Sequence, residues 1–122
     1  LRITTLRGVC HHFNASAEIA RQALDYGLFL SFCGPLTWPE SKRLHKLAAT
    51  VPLDRILVET DCPDLPPQSC RGAESRPWMV AEIMGTIAGL RKISMEKLAE
   101  QIAANWTTLF CQTCKQTTLK VL

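Results

Sequence analysis

Two histidines, a glutamate and an aspartate stand where a site is easily assembled. His11 and His12 close a short apolar run, Gly8-Val9-Cys10-His11-His12-Phe13. Asp61 directly follows another, Arg55-Ile56-Leu57-Val58-Glu59-Thr60. An imidazole and a carboxylate converging on one point can hold a divalent cation. If both runs are strands, neighbouring residues point to opposite faces, so only one of the two histidines can face a given pocket. Glu59 precedes Asp61 by two residues and lies on the same side of its strand. On residue types alone a second reading stays open: a hydrogen-bonded histidine at a strand end, and an aspartate capping a turn.

The elements that must position these residues are legible in the patterning. Leu28-Phe29-Leu30-Ser31-Phe32-Cys33 is a third apolar run. Near-continuous runs of this kind suit strands covered on both faces, as in parallel sheets. Helical patterns separate them. Ser16 is a candidate N-cap for a helix through Ile19, Ala20, Ala23 and Leu24, ended by Gly27. Thr37-Trp38-Pro39-Glu40 fits a capping box with Thr37 as N-cap, and Leu44, Leu47, Ala48 and Val51 follow as one apolar stripe stopped by Pro52. An irregular stretch from Asp61 to Ser75 holds Pro63, Pro66, Pro67 and Gly72, which block a helix there. A helix is expected from near Pro77 to about Leu90. Another is capped by Ser94, with Met95, Leu98, Ala99, Ile102, Trp106 and Leu109 on one face. The order strand-helix-strand-helix-strand predicts an α/β fold with parallel strands and covering helices. Ligands in such folds gather at the carboxyl ends of the strands, which is where His11 and Asp61 fall.

Composition sets the outer limits. The chain has 122 residues, formal net charge +3, 47% hydrophobic and 20% charged residues. That is an ordinary globular composition, and +3 is too small to argue for nucleic-acid binding by itself. No apolar run approaches the ~20 residues of a membrane span. Leu1 to Arg7 has no apolar core long enough for a signal peptide, and a chain beginning with Leu reads as a processed product or a fragment. The six cysteines are expected as free thiols, because Cys10 and Cys33 sit inside apolar runs. Free thiols and the missing signal suggest the cytoplasm. Cys111-x-x-Cys114 has redox or zinc spacing but no second pair and no histidine nearby. His45 is expected to face solvent, and Trp38, Trp78 and Trp106 to serve packing, with Trp78 the best exception.

The strings around these residues carry a resemblance. Leu57-Val58-Glu59-Thr60-Asp61-Cys62-Pro63 resembles the L-L-x-E-T-D-x-P signature of the TatD-type metal-dependent hydrolases. In the family's order, Gly8 to Phe13 is similar to G-V-x-H-C-F, Leu30 to Thr37 to L-S-F-S-G-x-x-T, and Val51 to Leu57 to V-P-L-D-R-L-L. Arg71-Gly72 and Ser75-Arg76-Pro77 resemble its R-G and N-x-P positions, and Asn105 to Phe110 its closing N-x-x-x-L-F. Together they span roughly residues 6 to 111.

The resemblance implies a partial TIM-type (β/α)8 barrel, about its last three βα units, over residues 1–111, followed by a tail over 112–122. It implies metal-dependent hydrolysis of phosphodiester bonds, often as a 3′→5′ exonuclease on DNA, with one or two divalent ions (Mg, Mn or Zn) per complete site. His11 and Asp61 align with metal ligands of the family, and Asp61 is placed to orient the attacking hydroxide. His12 stands where the family commonly has Cys and is not expected to ligate, although it could substitute for His11. Glu59 is expected to support the ligands from outside the metal's own shell. Arg71 and Arg76, in the loop over the strand ends, could meet backbone phosphate or simply face solvent.

Departures from the family pattern matter equally. Its H-x-H pair and its middle-strand Glu and His have no counterpart here, and a closed barrel needs eight strands. A missing N-terminal segment, a partner chain completing the barrel, or a decayed gene would each account for that. The rival expectation is a non-catalytic remnant or interaction module. A flavodoxin-like binding domain is disfavoured, because no Gly-rich phosphate loop follows any strand.

Overall fold

The computed structural model describes residues 5–111. Three parallel strands, β1 (Val9–Cys10), β2 (Phe29–Phe32) and β3 (Ile56–Val58), lie in the order β1-β2-β3. Val9 pairs with Phe29 and Cys10 with Leu30, while Leu30, Ser31 and Phe32 pair with Ile56, Leu57 and Val58. Each crossover carries a helix: α1 (Ala17–Asp25) and α2 (Lys42–Thr50). Then follow the proline-rich loop, α3 (Val80–Arg91) and α4 (Met95–Phe110). The expected order of elements and the parallel sheet are both present.

Local chemistry sets the boundaries. The Ser16 hydroxyl accepts from the Ile19 N–H at 3.2 Å, and Ser94 accepts from Lys97 at 3.2 Å, so both predicted caps form. Gly27 turns the chain into β2 at φ +86°, and a Cβ there would meet the Leu6 carbonyl at 3.2 Å. The carbonyls of Ala48 and Val51, at the end of α2, accept from the Arg91 guanidinium of α3. A cation at a helix carboxyl terminus satisfies orphan acceptors and complements the dipole.

Three expectations are corrected. Thr37 caps no α-helix: it ends a 3-10 turn over Gly34–Thr37, and α2 begins at Lys42, after Ser41. The Thr37 hydroxyl instead donates to the Gly34 carbonyl at 2.8 Å and accepts from the Gln68 N–H at 2.7 Å. Pro77–Met79 form a separate 3-10 turn ahead of α3. On α4 the buried residues are Leu98, Asn105 and Leu109, whereas Met95 and Trp106 are exposed. Trp106 sits one position beyond Asn105, about 100° around the helix, and packs on Phe110 with ring centroids 5.2 Å apart.

β2 is buried on both faces, which explains its continuous apolar run. Leu30 and Phe32 join Leu36, Leu44, Leu47, Ile83, Ile87 and Leu98 in the main core. Phe29 and Leu57 meet Leu109 on the opposite face. Full burial of such side chains contributes roughly 1.5–3 kcal/mol each. Among the described residues no helix is long and apolar enough to cross a membrane.

Candidate metal centre

The site sits on the carboxyl edge of the sheet and is built by a local irregularity. Cys10 is paired to Leu30, and the Phe13 N–H returns to the Ser31 carbonyl at 2.8 Å. Between those two pairings His11 and His12 stand where a regular ladder has one residue, so the chain bulges there. His12 takes a left-handed conformation, φ +44°. That conformation disfavours an ordinary side chain by about 1–2 kcal/mol. The Glu59 carboxylate offsets it by accepting the His12 N–H at 2.6 Å. A hydrogen bond to an ionised group contributes about 1.5–3 kcal/mol.

The bulge corrects the expectation that only one histidine can face the pocket. His11 Nε2 lies 3.2 Å from Asp61 Oδ1, and its Nδ1 lies 3.0 Å from Glu59 Oε1. His12 Nδ1 lies 3.6 Å from Asp61 Oδ2. The alternation of a regular strand does not apply, because β1 ends at Cys10. Both imidazoles therefore reach one carboxylate, one to each oxygen.

One ligand atom each from His11, Glu59 and Asp61 lies within 4.8 Å of the other two. Two ligands about 2.1 Å from one ion, at tetrahedral or octahedral angles, stand about 3.0–3.4 Å apart. The His11 Nε2–Asp61 Oδ1 separation of 3.2 Å meets that test. The mix of one nitrogen and two carboxylates suits a divalent cation of borderline to hard character. Glu59 is thus inside the cluster, closer than its expected place outside the ligands.

Loops after β2 and β3 lock together around this edge. A Cβ on Gly34 would fall 2.0 Å from the Leu65 carbonyl oxygen, so the loops can touch only with glycine here. Trp38 Nε1 donates to the Pro66 carbonyl at 3.0 Å. Burial pushes the Cys33 thiol, at the end of β2, up to about 11. The described cysteines are all free. Cys114 and the tail lie outside the described residues.

The predicted arginines are already engaged. Arg71 packs its guanidinium 4.1 Å above the Trp38 ring and pairs with Glu40 at 2.5 Å. That hydrogen bond holds the Glu40 carboxyl below its ordinary value. Arg76 pairs with Glu74 at 2.7 Å. Neither arginine belongs to the His11–Glu59–Asp61 cluster. Trp38 is a half-buried platform for a cation, Trp78 is exposed, as the exception it was expected to be, and Trp106 is exposed but packs on Phe110. His45 is not solvent-facing: its Nε2 lies 2.8 Å from the Leu36 carbonyl. A cavity of about 260 Å³ opens beside Asn14, Pro35, Trp38 and Arg43. Arg43 holds its wall by donating to the Asn14 side-chain oxygen at 2.9 Å. Sequence reasoning missed Glu40 and the contact of His12 with Asp61. Nothing in the residue types announces either the pairing of Glu40 with a distant arginine or a left-handed His12.

Comparison with known proteins agrees with the geometry. A family model described as TatD related DNase matches residues 2–111. The uncharacterized metal-dependent hydrolase YcfH of Escherichia coli (strain K12) is 39% identical over 109 residues, which cover 89% of this chain and 41% of that protein. The uncharacterized metal-dependent hydrolase YabD of Bacillus subtilis (strain 168) is 37% identical over 103 residues, covering 84% of this chain and 40% of that protein. The crystal structure of YJJV, a TatD homolog from Escherichia coli K12, superposes with a TM-score of 0.80 at 29% identity, covering 87% of this chain and 41% of that one. The chain thus spans about two fifths of the length of the relatives it matches. With the family model matched over residues 2–111 and these relatives aligned over most of the chain, the protein belongs to the TatD related DNase family.

Proposed function

We propose that residues 1–111 supply the last three βα units of a metal-dependent hydrolase barrel, and that His11 and Asp61 hold a divalent ion there. The observation that carries this reading is the meeting of His11, Glu59 and Asp61 at the carboxyl edge of a parallel sheet. Glu59 either completes the ligand set or fixes His11 through Nδ1, and its contact at 3.0 Å serves both. A bound cation would lower the pKa of water and stabilise charge developing on a phosphodiester. Asp61 orients the attacking oxygen, and one or two ions (Mg, Mn or Zn) complete the site.

The proposed substrate is DNA, cleaved at phosphodiester bonds from the 3′ end. Supporting this reading is the family itself, together with two exposed arginines on the loop that follows Asp61. Arg71 and Arg76 meet backbone phosphate by exchanging Glu40 and Glu74 for it, a like-for-like swap of anions. The remaining strands, with their ligands, come from the rest of the barrel or from a partner chain.

The test has two readouts, one on this chain and one on the completed barrel. Thermal unfolding with Mn²⁺ is expected to show a raised midpoint in the wild type and none in Asp61→Ala, because a ligand of the folded state stabilises it. Release of nucleotides from a 3′-labelled single strand, by the barrel completed with its remaining strands, is expected to need Mn²⁺ and Asp61. A midpoint unmoved by Mn²⁺, Mg²⁺ or Zn²⁺ would overturn the metal centre. Binding without cleavage would overturn the nuclease and favour a non-catalytic module.

A further inference from the structure

We propose that His12 is a positioning residue for Asp61, a role that rests on the metal-centre reading above. Asp61 is held between two imidazoles. Its Oδ1 faces His11 Nε2 at 3.2 Å and its Oδ2 faces His12 Nδ1 at 3.6 Å. His12 lies outside the ligand cluster, and the oxygen it faces is not the one that faces His11. A carboxylate that must present one oxygen to a cation needs its rotation about χ2 restrained. His12 is the group on the far oxygen.

Nothing else occupies the ring's polar atoms. His12 Nε2 is buried and has no hydrogen-bond partner among the described residues. Leaving such an atom unpaired costs about 1–3 kcal/mol. The ring's polar contact is therefore with Asp61. A bare Nδ1 lone pair would face a carboxylate, so this contact favours the tautomer with the proton on Nδ1, on the side of Oδ2. At 3.6 Å this is a charge–dipole contact rather than a hydrogen bond.

The backbone is committed to the same end. Glu59 Oε1 accepts the His12 N–H at 2.6 Å and stands 3.0 Å from His11 Nδ1. One carboxylate thus holds the left-handed bend and one histidine, while the bend delivers the second histidine to Asp61. The His12 peptide and ring close a circuit of Glu59, His11, Asp61 and His12 across the end of β2. A cysteine at this position could not present an N–H dipole to Asp61.

The choice of variants separates positioning from folding. His12→Gly removes the ring and relieves the positive φ, so the ion-free unfolding midpoint is expected to hold or rise. Its Mn²⁺ affinity by calorimetry is expected to fall about tenfold or more, the usual loss when a group supporting a metal ligand is removed. His12→Asn, which tolerates the left-handed bend and places an amide N–H near Nδ1, is expected to recover most of that loss. The visible spectrum of the Co²⁺-loaded chain is expected to be alike in wild type and His12→Asn, because His12 is not a ligand. Wild-type affinity in His12→Gly would overturn the role and leave the metal centre standing. A spectrum altered in His12→Asn would make His12 a ligand and overturn positioning. No binding of Mn²⁺, Co²⁺ or Zn²⁺ by the wild type would remove both readings.

Discussion

The Asn105 side chain on α4 donates to the Ile56 carbonyl, the first residue of β3, at 2.8 Å. The same amide donates to the Leu53 carbonyl at 2.8 Å, and its oxygen accepts from Gln101 at 2.8 Å. One buried side chain thus ties the last helix to the strand that leads to Asp61. Asn105→Ala removes one donor from each carbonyl, of which Leu53's keeps the Ile56 N–H, and is expected to cost about 1–3 kcal/mol. Urea unfolding should show a lowered midpoint with an unchanged slope. Asn105→Asp should be worse, because a carboxylate would face two carbonyls.

Gly34 tests the lock between the two loops. A methyl group there would lie 2.0 Å from the Leu65 oxygen, and that neighbour is backbone. Gly34→Ala is expected to cost at least about 1–3 kcal/mol, the range of overpacked sites. It should also separate Trp38 from Pro66, seen as a shift of the Trp38 indole N–H resonance.

Glu59 is expected to matter through its charge as well as its shape. Glu59→Gln can still accept the His12 N–H, so the ion-free unfolding midpoint should change little. The rise in midpoint produced by Mn²⁺ should shrink, because the cluster loses a negative charge. An undiminished rise would show that Glu59 serves the bend alone.

Alkaline pH should act through Cys33. Its thiol is raised from an ordinary 9.0 to about 11 by burial. A raised value favours the neutral folded form, so this stability is fully present below pH 9 and is lost as pH rises toward 11. Other groups titrate in the same range, so the diagnostic is a difference. Cys33→Ala should lose less stability between pH 9 and 11 than the wild type, measured by urea midpoints at each pH.

The fold and the site were legible to different depths. Strand positions, both serine caps and the parallel order followed from apolar runs and cap residues, because those signals are local. Asp61 and Glu59 lie just past β3, and both reach His11, as strand alternation carried beyond Val58 predicts. His12 was not legible. Its ring reaches Asp61 only because the chain leaves β1 after Cys10 and bends to positive φ, and Glu59, 47 residues away, pays for that bend. Arg71 is expected to meet phosphate or face solvent, and its pairing with Trp38 and Glu40 is not legible because they sit on another loop, brought near by Gly34. Trp106 misled because periodicity gives the direction of an apolar stripe but not its width.

His11 stands about fifty positions from Glu59 and Asp61 along the chain and meets them across the end of β2. In the unfolded chain such a meeting is rare, because closing a loop of that length costs entropy before any contact rewards it. The cluster exists only after β1 and β3 have each found β2. An ion bound there works as a clasp across the whole sheet, so occupancy would report native strand order more faithfully than helical content does. A collapsed chain with its helices formed and its strands mispaired would look folded by circular dichroism and still fail to load.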